Sequence, residues 1–106
     1  MEPRERFEEI VDDLLARDPD VSETQMMGMP AVKRHGKLWI GFWRDGMVFK
    51  LVDSEARERA LALQGAHLFD PSEKGQPMRE WVVVPVAHAG RWAELAEQAI
   101  SITSSA

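Results

Sequence analysis

The chain has 106 residues, of which 44% are hydrophobic and 29% charged, with a formal net charge of −5 and no cysteine. This length predicts one domain, and the missing cysteine excludes disulfides and thiolate metal sites. The acidic balance disfavours a broad nucleic-acid surface, because such surfaces bind mainly by neutralising phosphates. The charged N-terminus and the absence of a long apolar run predict neither a signal peptide nor a membrane span, so we expect a cytoplasmic protein.

The first predicted element is an amphipathic helix. Pro3 suits a first helical turn, and Pro19 ends the helix. Five apolar residues recur between them at the spacing i, i+3, i+4, i+7, i+8, namely Phe7, Ile10, Val11, Leu14 and Leu15. Acidic residues lie on the opposite face, and such runs are more typical of a solvated surface than of acid–base chemistry.

Three strands are predicted between the first and second helices. Residues 21–27 form the first strand, and the Met-Gly-Met-Pro segment at 27–30 bends the chain after it. Residues 31–34 then lead into a turn at His35-Gly36. The clustered methionines are more typical of core filling at a strand end than of an adaptable binding surface.

The central hairpin, residues 36–52, organises the predicted sheet. Two apolar runs flank Arg44-Asp45-Gly46, and Asp-Gly between apolar runs is a strong indication of a hairpin. Strict alternation places one set of side chains on one face, namely Leu38, Ile40 and Phe42, and a second set on the other, namely Trp39, Gly41 and Trp43. Both faces of this strand are therefore apolar, which is typical of an interior strand or of one that meets a partner.

A second helix is predicted after the hairpin. Asp53 or Ser54 caps its N-terminus and Gly65 stops it, while a weak apolar stripe marks it as short and peripheral. A brief extended piece at 66–69 follows, and then a loop at 70–77 that is rich in Pro, Ser, Gly and charge.

The C-terminal part of the chain predicts a strand and a last helix. Residues 78–85 contain the β-branched run Trp-Val-Val-Val and end at a proline. A helix from about Ala89 carries an apolar stripe that includes Trp92, and residues 103–106 form a small polar tail that we expect to fray. The order helix, three strands, helix, two strands, helix predicts a two-layer α+β domain over residues 1–106, in which an antiparallel sheet carries the helices on one face.

Several motifs along the chain resemble those of one protein family. Met27-Gly28, Gly36-Lys37 and the run from Asp45 to Val52 precede the most specific motif, Gly-x-Pro-Met-x-x-Trp-Val at residues 75–82. Together with the Ala-rich last helix, they resemble the N-terminal domain of TfoX, a competence regulator, and its small stand-alone relatives. The resemblance covers about residues 5–102 and contains no catalytic motif.

A second group, the MmcQ/YjbR-like proteins, is similar around Met29-Pro30-Ala31 and Gly36-Lys37. Both groups imply the same α+β architecture, which is like that of type III secretion chaperones. The YjbR-like resemblance also implies DNA binding through the hairpins, whereas the TfoX-like resemblance implies a regulatory or interaction module.

Four basic residues surround the first hairpin strand and form the candidate nucleic-acid contact, namely Lys33, Arg34, Lys37 and Arg44. With Trp39 and Trp43 nearby, such a rim would grip phosphates and stack on bases. A solvated turn that balances the acidic first helix is the favoured interpretation, because four positive charges release few counterions.

Four residues of the hairpin region form the candidate protein interface, namely Trp39, Trp43, Met27 and Met29. If the helices cover only one face of the sheet, Trp39 and Trp43 are exposed together and form an apolar patch that needs a partner. The sequence gives equal weight to this arrangement and to burial of both rings.

The sequence contains no pattern that indicates bond-making chemistry. The histidines at 35, 67 and 88 lack metal-ligand spacing, the serines lack a nucleophile elbow, and the glycines lack a phosphate-binding pattern. We therefore predict no catalytic residue, no metal and no cofactor.

These observations favour a non-enzymatic interaction or regulatory module, which self-associates through its sheet as a homodimer or binds a protein partner. The alternatives are a nucleic-acid-binding module that uses the basic hairpin rim, and a small-molecule pocket beside Met27, Met29 and Trp81.

Overall fold

Helices and strands occupy most of the chain in a computed structural model that describes residues 2–44, 46–71, 75 and 77–105, with side chains described up to residue 99. The helices are α1 (Pro3–Arg17), α2 (Ser54–Leu61) and α3 (Trp92–Ser105), and a 3₁₀ helix at Val86–Arg91 precedes α3. The strands are β1 (Val21–Met26), β2 (Met29–Arg34), β3 (Lys37–Trp43), β4 (Gly46–Lys50), β5 (His67–Phe69) and β6 (Met78–Pro85).

The six strands form one antiparallel sheet in the order β1-β2-β3-β4-β6-β5. The predicted α+β class is therefore confirmed, with β5 and β6 where the second group of strands was expected. Four strands lie between α1 and α2, where the sequence predicted three. The additional strand is β2, which pairs with β1 on one side and with β3 on the other.

Two-residue turns with left-handed backbone connect the first three strands. Met27 and Gly28 have φ angles of 53° and 79°, and His35 and Gly36 have φ angles of 52° and 77°. Positive φ at both central residues is what a type I′ turn requires, and this turn matches the twist of the strands it joins. Arg44 (φ 57°) begins the turn between β3 and β4, whose predicted second residue, Asp45, lies outside the described residues.

The helices cover one face of the sheet, and the main hydrophobic core lies beneath them. The buried helix residues are Phe7, Ile10, Val11 and Leu14 of α1, Ala56 and Ala60 of α2, and Trp92, Leu95, Ala96 and Ala99 of α3. Alternate strand residues face them, namely Val21, Val32, Ile40, Phe42, Met47, Phe49, Val82 and Val84. The apolar stripes seen in the sequence therefore face the core, although Leu15 is only half-buried.

A β-bulge in β3 moves Trp39 into this core. Val32 lies opposite Ile40 and Lys33 lies opposite Leu38, so Trp39 is an extra residue in β3. Trp39 and Ile40 are both fully buried on the helix side, and the Trp39 Nε1–H donates a 2.9 Å hydrogen bond to the Ala96 carbonyl oxygen. Strict alternation predicted the wrong face for Trp39, and it also wrongly placed Leu38 on the same face as Ile40 and Phe42. The reason is that one inserted residue reverses the alternation from that point.

The ends of the later helices follow local side-chain chemistry. Of the two predicted caps for α2, Asp53 is the one used, since its Oδ2 accepts a 3.0 Å hydrogen bond from the Ala56 N–H. At the start of α3, the fully buried Trp92 donates from Nε1 to the Val84 carbonyl oxygen at 3.2 Å. The helix continues through residues 103–105, which were predicted as tail, and Ala106 lies outside the described residues.

The left-handed backbone of Met27 generates a test of the turn. We expect Met27→Asn to raise the free energy of unfolding by roughly 1 kcal/mol, because asparagine tolerates positive φ and Asn-Gly is the preferred type I′ pair. Urea denaturation would measure the change. Met27→Ala is the matched control, since alanine removes the same exposed side chain without easing the backbone. Equal stability of the two variants would contradict this account of the turn.

Candidate functional site

A second, smaller apolar cluster lies on the opposite face of the sheet, and we call this side the helix-free face. Its buried members are Met26, Met29, Ala31, Val48, Phe69, Trp81 and Val83, and its half-buried members are Leu38, Trp43 and Met78. Every one of these described residues lies in a strand. The helix-free face is therefore apolar, and none of the described helices contributes a residue to its cluster.

Small residues form the centre of the helix-free face. Ala31, Gly41, Val48 and Val83 lie side by side on four neighbouring strands. A Cβ atom at Gly41 would lie 2.7 Å from the Met29 Cε and 3.2 Å from a backbone oxygen, so only glycine fits there without a shift. Because these central side chains are small, there is room above them for larger side chains from the surrounding residues of the same face.

Trp43 and Phe69 reach across this low centre towards each other. Their ring centroids are 5.4 Å apart at an interplanar angle of 70°, which is the edge-to-face arrangement that aromatic pairs prefer. Two strands, β4 and β6, separate β3 from β5, which corresponds to roughly 14 Å of backbone spacing. The two rings must therefore lie over the intervening strands, where Val48 has no exposed surface.

A groove of about 260 Å³ opens at the end of the helix-free face next to the β3–β4 turn, and we call it the Trp43 groove. It is lined by Trp43, Arg44, Gly46, His67, Val83, Pro85 and Val86. The Arg44 guanidinium carbon lies 5.3 Å from the centroid of the Trp43 ring, within the range of a cation–π contact. Among the described residues that line the groove, none is acidic.

The structure separates the four residues of the predicted interface. Trp39 is fully buried on the helix side, and Met29 is only 3% exposed. Met27 is 59% exposed because it lies at the tip of the β1–β2 turn, and Trp43 is half-buried. Only Met27 and Trp43 therefore present substantial surface to a partner.

Of the seven described residues that line the Trp43 groove, Trp43 and Arg44 were predicted as site residues, and the other five, which include Val86 and His67, were not. Val86 is 41% exposed and begins the 3₁₀ helix directly after the proline that ends β6. His67 lies on β5 opposite Val83. The sequence indicates Val86 only as an apolar residue directly after the proline that ends a strand. The position of His67 has no local indication in the sequence, because it depends on how β5 pairs with β6. The groove includes none of Met27, Met29 and Trp81, beside which a pocket was predicted.

The four residues of the predicted nucleic-acid contact do not converge. Lys33, Arg34 and Lys37 lie at the β2–β3 turn, whereas Arg44 follows the other end of β3. A strand of seven residues spans roughly 23 Å, so Arg44 is far from the other three. The nucleic-acid alternative stays a prediction, with its charges divided between two ends of the sheet.

Arg34 is also engaged by acidic residues of the same chain. Its Nε donates a 2.8 Å hydrogen bond to Asp18 Oδ2, and a second nitrogen lies 3.9 Å from Asp20 Oδ2. The hydrogen bond from Arg34 lowers the pKa of Asp18, and the Asp20 backbone N–H, 2.9 Å from Asp18 Oδ1, lowers it further. Part of the positive charge at the β2–β3 turn is thus used to hold the α1–β1 connection.

A smaller groove of about 150 Å³ lies between α1 and α3 and is crossed by ion pairs. Arg17 of α1 contacts Asp13 on its own helix at 2.9 Å and Glu97 on α3. The hydrogen bond to Glu97 raises the pKa of Arg17. Because these groups satisfy one another, the groove joins two helices rather than offering charge to a ligand.

Several kinds of site are not found in the part of the chain that the structure describes. Within that part, no group of three or more His, Asp or Glu side chains is placed to hold a metal ion. The described helices include none with the length and apolar character needed to cross a membrane.

Comparison of the chain with protein-family models, with curated proteins and with solved structures finds no match. The resemblance to the TfoX N-terminal domain therefore depends on the motifs in the sequence alone.

The lowered pKa of Asp18 predicts how stability depends on pH. The Asp18 carboxylate contributes its full stabilisation above the unfolded pKa, near 3.8, and this contribution is lost as the pH falls through the lower folded pKa. We expect Asp18→Asn to be less stable than the parent at pH 7, and the difference to shrink below about pH 4. Urea denaturation across this pH range would measure both free energies of unfolding.

Asp12→Asn, which removes one exposed negative charge from α1, is the control for the change in net charge. A difference between Asp18→Asn and the parent that stays constant down to the acid limit of folding would contradict the role given to the Asp18–Arg34 pair.

Proposed function

We propose that the protein is a small, non-enzymatic interaction or regulatory module of the TfoX N-terminal type, which self-associates through the helix-free face of its sheet. The observation that carries this proposal is the apolar cluster on that face, which lies opposite the helices and retains partly exposed aromatic and aliphatic side chains.

The distribution of exposed apolar surface supports this assignment. Among the described residues, the large hydrophobic side chains with the greatest exposure are Met27 and Val86. Met27 lies at the tip of the β1–β2 turn, and Val86 borders the Trp43 groove at the β6 end. Half-buried Leu38, Trp43 and Met78 lie on the helix-free face itself. A concentration of apolar surface of this kind is typical of protein–protein interfaces.

The position of the motif that resembles the TfoX N-terminal domain also supports a contact through the helix-free face. In the Gly-x-Pro-Met-x-x-Trp-Val motif at residues 75–82, Met78 and Trp81 both belong to the helix-free cluster. Met27, from the first motif, lies on the turn next to the buried Met26 and Met29. Three of the residues that carry the resemblance, Met27, Met78 and Trp81, therefore lie on or beside the face where we propose the contact.

A second copy of the chain is the partner that requires the fewest assumptions. Two copies related by a two-fold axis can bury the same apolar patch against itself, which is the commonest arrangement in soluble oligomers. The nucleic-acid alternative ranks lower, because Arg34 is already paired with Asp18 and Arg44 lies apart from Lys33 and Lys37.

Sedimentation velocity at micromolar concentrations would test the proposal. We expect the parent to form dimers, and the double variant Met27→Asn/Val86→Ser to dissociate with a Kd raised at least about tenfold, because both side chains contribute exposed apolar area to the patch. Both positions are exposed, so the fold is expected to survive the change.

Ala16→Ser/Ala62→Ser is the matched control, since it makes two exposed residues on α1 and after α2 more polar. It should leave the Kd unchanged. A parent protein that remains monomeric at the highest concentration reached would overturn self-association.

A further inference from the structure

We infer that two copies of the chain associate by reciprocal insertion, in which Met27 of each copy enters the Trp43 groove of the other. This inference rests on the proposed self-association through the helix-free face, and it names the residue that the second copy contributes to the groove. Its geometric consequence is a two-fold axis that runs parallel to the strands and passes close to β3.

Met27 and the Trp43 groove lie at the same end of the sheet. Successive neighbours in the sheet are antiparallel, so β1, β3 and β6 all run in one direction. Met27, Arg44 and Val86 directly follow these three strands and therefore lie at one common end. Met27 lies between the first two strands, whereas the groove lies around β4 and β6, about three strand spacings or roughly 14 Å away.

A two-fold axis parallel to the strands brings these two features together. When two copies meet face to face about such an axis, each end of the sheet meets the same end of its partner, and left and right exchange. With the axis at β3, midway between Met27 and the groove, Met27 of each copy lies over the groove of the other. Both contacts form together, as the self-complementary interface of a two-fold dimer requires. An axis perpendicular to the strands would instead place Met27 over the polar end of β1 and β2, where Ser22 pairs with Lys33.

The groove suits a methionine side chain in both size and chemistry. Its volume of about 260 Å³ is below the roughly 300–1,000 Å³ of sites for drug-sized ligands, and is suited to a single inserted side chain. Methionine is unbranched and flexible, so it fills irregular apolar space, and its sulfur interacts favourably with an aromatic ring such as that of Trp43. Met27 is 59% exposed in the single copy and therefore has apolar area to bury. The apolar lining residues of the groove are Trp43, Val83, Pro85 and Val86.

The backbone of Met27 is a second observation that points to a role for this side chain. Its φ angle of 53° is left-handed, and asparagine or glycine is the usual residue at this position of a type I′ turn. An unfavourable backbone conformation is typically retained where the residue serves a function. Insertion into a second copy is a function of this kind, and it accounts for a methionine where the turn favours asparagine.

The area of the helix-free face is sufficient for a dimer. Five strand spacings give roughly 24 Å across the sheet, and a strand of seven residues gives roughly 23 Å along it. Two such faces bury roughly 1,100 Å² in flat projection, which exceeds the roughly 1,000 Å² expected of a specific interface. Insertion of Met27 into the groove adds area that the flat projection omits.

The same axis brings like charges together at the far end of the face. Lys33 lies opposite Leu38 and Lys50 lies opposite Trp81, and both partners belong to the helix-free cluster, so both lysines share that face. The two lysines lie at the same level on either side of β3, one residue beyond the row that pairs β2, β3 and β4 through Ile40. Lys33 of one copy therefore lies opposite Lys50 of the other, and like charges across an interface oppose association.

Chemical cross-linking would test the insertion, because the chain contains no cysteine and single cysteines can be introduced without background. Met27→Cys and Val86→Cys would be mixed, at concentrations above the Kd of each variant, and treated with the short linker bismaleimidoethane. We expect at least about fivefold more cross-linked dimer in the mixture than with either variant alone, because the two Met27 positions lie at least roughly 14 Å apart across the axis. Ala16→Cys, at an exposed residue of α1, is the control and should not cross-link to either variant.

Charge reversal would test the direction of the axis. Lys50→Glu converts both Lys33–Lys50 contacts of the dimer into attractive pairs, so we expect sedimentation velocity to give a Kd at least about threefold lower than that of the parent. The double variant Lys33→Glu/Lys50→Glu restores like charges and should lose this gain. Arg59→Glu makes the same change in net charge at an exposed residue of α2 and should not lower the Kd.

The inference can fail while self-association stands. In a parent that sediments as a dimer, it would be overturned if Met27→Cys did not cross-link to Val86→Cys, or cross-linked equally well to itself. A Kd for Lys50→Glu that is no lower than that of the parent would overturn the axis parallel to the strands. A parent that stays monomeric would instead remove the proposed self-association, and the insertion with it.

Discussion

The indole of Trp39 joins the two layers of the molecule, and the packing of the helices depends on it. The ring lies at the middle of the sheet, is fully buried, and donates its N–H to a backbone carbonyl of α3. A buried indole needs such a partner, because an unpaired N–H in the core costs free energy comparable to a lost hydrogen bond. Trp92 forms the reciprocal link from α3 to β6. The last helix is thus tied to the sheet at two points, which fixes the side of the sheet that the helices cover.

Much of this architecture could be predicted from the sequence because it depends on local patterns. The apolar stripe of α1, the Asp53 cap and the β-branched run that ends at Pro85 each specify an element within one stretch of chain. The face of Trp39 could not be predicted in this way, since a bulge depends on how β3 pairs with β2. The turn at Met27-Gly28 was similarly taken for a bend, because methionine is an unusual residue for left-handed backbone.

The candidate site was predictable only in part. Trp43 and Met27 were identified from composition, but the groove that contains Trp43 also requires β5 to lie beside β6, so that His67 comes opposite Val83. No local pattern specifies a contact between residues this far apart in the chain. The basic residues illustrate the same limitation, because neighbours in sequence such as Lys37 and Arg44 are separated by the full length of a strand.

The two border strands of the sheet restrict how copies of this chain can assemble. On one side β1 carries exposed polar side chains, including the charged Glu23, and on the other side β5 is only three residues long and irregularly paired. Neither border offers the long, flat, apolar backbone template on which strands from successive molecules add without limit. Growth by edge addition into fibrils is therefore disfavoured, and the favourable route to association is through a face, which can be saturated by a single neighbour.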